Sequence, residues 1–265
     1  MGNFITAIST DYADLSTVTA TTANASFPAT NTGTTLQPYA LYKGTAAVST
    51  AEALVFDMAT ATSLDAVVLD NVNMGTVVIQ GHATDSWGAP SYDSGNVLVS
   101  QDARDGRYKL YHTLVGTGFD STGYRFLRVQ AGASATVDDE TTFNVGSVAA
   151  VKTITTWTYN PNNPFEYTFQ QAVDPGEKAS GGVEPSSLGN PYVTLSLTGS
   201  PFPTSMEDTP INALMRHGQH RAVMFFYNQS DTSEVYQCVR SATVRVRKAG
   251  PNHIEVTGIV LREAA

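Results

Sequence analysis

Leu54-Val55-Phe56-Asp57, Ala66-Val67-Val68-Leu69 and Thr76-Val77-Val78-Ile79-Gln80 follow one another at close spacing, with a turn around Thr62-Ser63-Leu64-Asp65 between the first two. Each is a short run of β-branched and aliphatic residues bounded by turn formers, which is the signature of strands in an antiparallel sandwich. Beyond a Gly/Pro/Asp loop from Asp85 to Gly95, the pattern resumes with Lys109-Leu110-Tyr111-His112-Thr113. Tyr124-Arg125-Phe126-Leu127-Arg128-Val129 and Thr142-Phe143-Asn144-Val145-Gly146-Ser147-Val148 complete the set. Side chains alternate between faces along a strand, so Arg125 and Arg128, an odd step apart, are expected on opposite faces. Upstream, residues 13–35 are rich in Thr, Ala and Ser.

Residues 151–265 change character. Thr153 to Tyr159 reads as a strand, Asn160-Pro161-Asn162-Asn163-Pro164 as a turn, and Phe165-Glu166-Tyr167-Thr168-Phe169-Gln170 as an alternating strand. Residues 173–190, with Asp174-Pro175-Gly176-Glu177-Lys178 and Ser180-Gly181-Gly182, read as a long loop, which a compact domain rarely keeps without a use. Strands follow at Tyr192–Leu197 and Ala222–Tyr227. Two long ones, Val235–Val246 and Ile254–Leu261, end the chain. The one convincing helix is Met206-Glu207-Asp208-Thr209-Pro210-Ile211-Asn212-Ala213-Leu214-Met215-Arg216-His217-Gly218. Thr209 suits its cap, Pro210 its first position and Gly218 its left-handed stop. Ile211, Leu214 and Met215 are spaced to point inward together. The expectation is a mainly β protein of two domains, 1–150 and 151–265, the second with one flanking helix.

Composition narrows the function classes. Of 265 residues, 42% are hydrophobic and only 15% charged, which excludes a disordered chain. The net charge of −9 lies almost wholly in residues 1–150, which hold 6 Lys+Arg against 14 Asp+Glu; residues 151–265 hold 9 against 10. That balance argues against nucleic acid as a partner, because phosphate binding needs cations. Arg240, Arg245, Arg247 and Lys248 form the one basic cluster, which suits a solvated face or a subunit contact. Cys238 is the single cysteine, placed in an alternating strand, so no intrachain disulfide is expected and a buried thiol is. No run approaches a membrane span, and the N-terminus lacks the pattern of a signal peptide. The expectation is a soluble product of a reducing cytoplasm.

Catalytic equipment is sparse. There is no Gly-x-Ser-x-Gly elbow, phosphate loop or dinucleotide fingerprint, so an enzyme is not expected, nor any cofactor. His217 and His220 lack a third ligand for a metal, and His217 suits a helix C-terminus. Asp138-Asp139-Glu140 lacks the alternating spacing that wraps Ca²⁺ and reads as a solvated turn. Trp87, Tyr92, Tyr108 and Tyr111 would form a sugar-stacking surface if their loops met at one end, although aromatic residues in sandwiches more commonly serve packing.

Two resemblances organise these readings. Ala25-Ser26-Phe27-Pro28-Ala29-Thr30-Asn31, Leu54–Met58, Leu64–Leu69 with Val77–Gly81, Tyr124–Val129 and Phe143–Val148 succeed one another as in the galactose-binding-like (discoidin-like) jelly roll. That resemblance implies sugar binding by loops at one end, without the paired cysteines of many members. Residues 151–265, read as β-β-(long loop)-β-α-β-β-β, resemble the tail-tube-like fold of bacteriophage tail proteins. This implies a homo-oligomer, a hexameric ring, in a distal tail or baseplate structure. Its partners would be other tail-tube and tail-tip proteins, its assembly loop would carry Asp174, Glu177, Lys178 and Glu184, and it would reside in the virion after synthesis in the host cytoplasm. The alternative is a carbohydrate-binding β-sandwich module.

Overall fold

A computed structural model describes residues 5–7, 11–13, 15–33, 41–48, 51–102, 106–152, 154–157, 166–170, 173–177, 183–187, 192–196, 200–205, 207, 211–216, 222–226 and 232–263. The chain is mainly β, with antiparallel sheets. It divides into two compact units: Met1–Thr156 with Met224–Val235, and Trp157–Val223 with Tyr236–Ala265. The composition shift near residue 150 carries no sign that residues 224–235 return to the first unit.

The first unit contains β1 (Ile5–Ala7), β2 (Thr17–Ala20), β3 (Tyr42–Lys43), β4 (Ala53–Thr62), β5 (Ala66–Val72), β6 (Thr76–His82) and β7 (Tyr92–Leu98). It continues with β8 (Ser100–Gln101), β9 (Tyr108–Thr113), the helix α1 (Phe119–Thr122), β10 (Tyr124–Ala131), β11 (Asn144–Val151) and β12 (Ile154–Thr156). Two five-stranded sheets result, in the orders β2-β4-β10-β6-β7 and β3-β11-β5-β9-β8. Their inward rows meet in one core, to which Phe56, Ile79 and Leu127 come from the first sheet and Leu69, Leu110 and Val148 from the second. Each such fully buried large apolar side chain contributes about 1.5–3 kcal/mol. β1 pairs with β12.

Packing at one end of this sandwich turns on Gly81. A Cβ there would lie 2.5 Å from the Phe119 ring. Glycine therefore leaves the space that the short helix α1 fills with Phe119, whose ring is edge-on to Tyr92 and Tyr124 at 5.5 and 5.0 Å between centroids.

The second unit contains β13 (Glu166–Gln170), β14 (Val173–Glu177), β15 (Val183–Ser187), β16 (Tyr192–Ser196), β17 (Ser200–Pro203) and α2 (Asn212–Arg216). β18 (Ala222–Phe226) leads out of it, and its residues Met224–Phe226 belong to the first unit, where they pair with β1. β19 (Val235–Arg240), β20 (Arg245–Gly250), β21 (His253–Thr257) and β22 (Val260–Glu263) end the chain. β16 lies between β13 and β22, and β22 also pairs with β19. β17, β21 and β20 form a separate three-stranded sheet.

Three expectations change here. Residues 173–190 are not one structureless loop, because β14 and β15 pair as a hairpin in which Asp174 stands opposite Ser186 and Gly176 opposite Glu184. The two long terminal strands are four shorter ones serving two sheets. They break where Gly258, at φ 81°, passes so close to the Thr243 carbonyl that a Cβ would lie 2.3 Å from its oxygen. In α2, Leu214 is buried, as is the preceding Ile211, but Met215 is 38% exposed. A helix of barely more than one turn buries a narrow stripe, and that stripe is centred on Ile211 and Leu214. Thr209, Pro210 and Gly218 lie outside the described residues, as do Asn160–Pro164.

Candidate functional site

The outward row of the first sheet carries the richest set of chemically useful side chains in this unit. On β10, Leu127, Val129 and Ala131 face the core, so Phe126, Arg128 and Gln130 face out. On β6, Val77 and Ile79 face the core and Gln80 and His82 face out. Strand register then sets Arg128 beside Gln80, and Gln80 beside Asp93 of β7. Hydrogen bonds join all three. Arg128 Nη1 donates to Gln80 Oε1 at 3.2 Å, and Gln80 Nε2 donates to Asp93 Oδ2 at 2.8 Å. Gln80 is buried, so this bridge holds its two neighbours in place.

The loop of residues 83–91 folds Trp87 over this row. The indole Nε1 donates to Asp85 Oδ1 at 2.6 Å, and the Arg128 guanidinium lies 5.4 Å from the ring centroid, within cation–π range. The His82 ring is tilted against the indole at 6.4 Å. His82 is itself fixed by the Thr84 amide, which donates to Nδ1 at 3.1 Å. Burial lowers the pKa of Arg128 from its ordinary value, while the charges of Asp85 and Asp93 oppose that shift. Both carboxylates therefore act on the one guanidinium.

Next along the row, Arg125 donates to Asp57 through Nε and Nη2, both at 2.7 Å, and its guanidinium lies over Phe126 at 5.0 Å. The Arg125 hydrogen bond holds the Asp57 carboxyl below its ordinary pKa. The two arginines were expected on opposite faces. Arg125 nevertheless ends on Asp57 of the outward row, because the β4–β10 register shifts between Tyr124 and Phe126. There Met58 to Ala61 stand against Arg125 alone, with Ala59 at φ 62°.

The four aromatic residues singled out from sequence do not gather. Trp87 alone lies over the outward row. Tyr92 turns inward, its ring against Phe119 and its hydroxyl 2.8 Å from His112 Nε2. Tyr108 packs on the core. Tyr111 is on the other sheet, facing away from the core, where its amide donates to the Thr232 carbonyl at 2.9 Å. Strand parity separates Tyr108 from Tyr111, since three positions is an odd step. Sequence reading missed Gln80, Asp85, Asp93 and Arg128 as a set, because only the β6–β10–β7 register brings them together. The available signal was Asp85-Ser86-Trp87, an acceptor two residues before an indole donor.

The other candidate residues have mainly structural surroundings. Asp138 Oδ1 accepts from Asn73 Nδ2 at 3.3 Å and from the Glu140 amide at 3.1 Å, while Glu140 pairs with Lys43 at 2.8 Å. That hydrogen bond from Lys43 lowers the Glu140 pKa. Asp174, Glu177 and Glu184 lie on the β14–β15 hairpin, and Lys178, His217 and His220 fall outside the described residues. Among the described residues no group of three or more His, Cys, Asp or Glu is arranged to hold a metal. No helix among them is long and apolar enough to cross a membrane. Cys238 is buried.

No protein-family model matches the chain, and no curated protein does. Solved structures do. A Streptococcus pneumoniae fucose binding module is 8% identical, with 57% of this chain and 99% of that one covered at a TM-score of 0.41. The lectin domain of lectinolysin, complexed with Lewis B antigen, is 8% identical over 54% of this chain and 97% of that one, at 0.41. The family 32 CBM from C. perfringens NanJ, in complex with galactose, is 10% identical over 55% and 98%, at 0.38. By name these three are sugar-binding domains. What this chain binds has to come from its own residues.

Proposed function

We propose that the first unit is a carbohydrate-binding β-sandwich, non-catalytic, which takes its ligand on the outward row around Trp87. The supporting observation is the Trp87–Arg128 stack with Gln80, Asp85 and Asp93 around it. An indole offers an apolar face for the C–H side of a pyranose ring, and planar carboxylate and guanidinium groups match pairs of vicinal hydroxyls. Two carboxylates against one guanidinium disfavour an anionic sugar, so the ligand is a neutral one. Titration calorimetry against neutral and acidic oligosaccharides tests this. Binding of a neutral glycan, weakened at least tenfold by Trp87→Ala with unchanged melting, is the expected result. Equal affinity in that variant, or no glycan bound at millimolar concentration, removes the reading.

The β14–β15 hairpin favours a second, compatible reading. A two-stranded ribbon is marginal by itself in water, and a strand from another chain would extend this one. On this reading the chain is a component of a phage tail tip or baseplate. It would form an oligomeric, hexameric ring within the virion, with the sandwich offered to host sugars or to other tail-tip proteins. Light scattering at increasing concentration tests it: a strict monomer counts against assembly and leaves the sugar reading untouched.

A further inference from the structure

The chemistry around Trp87 occurs a second time on the outward face of the first sheet. Phe126 is half-buried there, with the Arg125 guanidinium 5.0 Å from its ring centroid, much as Arg128 lies 5.4 Å from the indole. Asp57 accepts from Arg125 through both oxygens, while the charges of Asp85 and Asp93 act on Arg128. An aromatic ring, a guanidinium and a carboxylate thus stand together at both positions.

Strand register joins the two positions into one surface. His82 is tilted against Trp87 at 6.4 Å and is the strand partner of Phe126. Phe126 is in turn the partner of Asp57, and Asp57 of the exposed Thr17. His82, Phe126, Asp57 and Thr17 therefore form a line across four strands, about 14 Å long at a strand spacing of about 4.8 Å. One pyranose ring on the indole face leaves most of that line uncovered. Two guanidiniums stand against three carboxylates along it, so it carries no positive excess to draw an acidic chain.

We propose that this face holds a neutral oligosaccharide lengthwise across the strands, with one ring on Trp87 and a further ring on Phe126 beside Arg125 and Asp57. This rests on the carbohydrate-binding reading and adds to it the length and direction of the ligand. The test is titration calorimetry of the full chain with gluco-, galacto- and xylo-oligosaccharides, each series running from the monosaccharide to the hexasaccharide. In a series that binds, affinity is expected to rise about tenfold or more with length and then level off. Phe126→Ala removes that gain, bringing the hexasaccharide to within about threefold of the monosaccharide, whereas Trp87→Ala weakens every length. Phe126→Leu keeps an apolar side chain without a flat ring; it shows the same loss and carries the test if the alanine variant melts early. A monosaccharide bound as tightly as the hexasaccharide, or a length gain unchanged in both Phe126 variants, overturns the second contact and leaves binding at Trp87 standing. A wild type that binds none of the three series at millimolar concentration overturns both.

Discussion

Along β10, buried and part-exposed positions alternate to the end of the strand, whereas along β11 every residue from Asn144 to Val151 is buried. The inward rows of both strands do the same work in one core. The outward rows differ. The second sheet closes its own with small residues such as Ala66, Val68 and Ala149, and with charges that are paired: Asp70 with Arg107 at 3.0 Å, and the fully buried Lys109 with Asp102 at 3.7 Å. The first sheet leaves Phe126, Arg128 and Asp57 half exposed and lays Trp87 over them. Strands buried on both faces read as continuous apolar runs, and strands with one wet face alternate. The first sheet therefore keeps an open row on which the proposed ligand contact would fall, while the second is closed on both faces.

The harshest test of that division is Arg107→Ala. Asp70 would lose the partner of its Oδ2, and its Oδ1 is already buried without a hydrogen bond. A buried carboxylate stripped of its cation costs about 3–5 kcal/mol, whereas replacing both members by apolar residues of similar volume is nearly neutral. Urea denaturation of Arg107→Ala and of Arg107→Met with Asp70→Leu measures both. A loss below about 1 kcal/mol in the single variant would mean that water reaches the pair, on the scale of an exposed ion pair.

How much of this division was legible from sequence follows from the same physics. Ala66-Val67-Val68-Leu69 and Val77-Val78-Ile79 announce their strands because burial selects apolar residues. β7, from Tyr92 to Leu98, lay half inside a presumed loop, since an edge strand buries little and carries Asp93, Ser94, Gly95 and Asn96. The candidate site depends on that strand. Trp87 could be picked out as an aromatic loop residue, but its true companions are fixed by cross-strand register, a relation between distant segments that no local pattern carries. The hairpin at 173–187 stayed hidden for a similar reason, because two prolines and a glycine in Asp174-Pro175-Gly176 and Glu184-Pro185 read as turn chemistry.

A milder test uses acid. His112 lies on the inward side of β9, its Nε2 2.8 Å from the Tyr92 hydroxyl, and burial lowers its pKa below the ordinary 6.5. The folded protein thus holds His112 neutral while the unfolded chain protonates it first. The unfolded state binds more protons below pH 6.5, so stability is full above that value and falls as the pH drops toward the lowered folded pKa. Denaturation midpoints at about pH 8 and 5.5, a range that spans the ordinary histidine pKa and stays above most carboxylates, should fall in the wild type and change less in His112→Gln. An equal fall in both proteins would place the titrating group elsewhere.

The smallest effect belongs to the most conspicuous ion pair. Arg125 and Asp57 meet through two hydrogen bonds of 2.7 Å, yet their side chains are 47% and 28% exposed. Water competes for both groups, salt screens them, and ordering a long arginine side chain costs entropy, so such pairs contribute little to folding despite good geometry. Arg125→Ala is expected to leave the thermal midpoint within measurement error at neutral pH. The lowered Asp57 pKa gives a further handle. Whatever the pair contributes is present above the ordinary value of 3.8 and lost as the pH falls below it. Since Arg125 also lies over Phe126 on the wet row, glycan titration of the same variant is the sharper measurement. Unchanged affinity confines the binding surface to Trp87 and Arg128, and a several-fold loss extends it along β10 to Asp57.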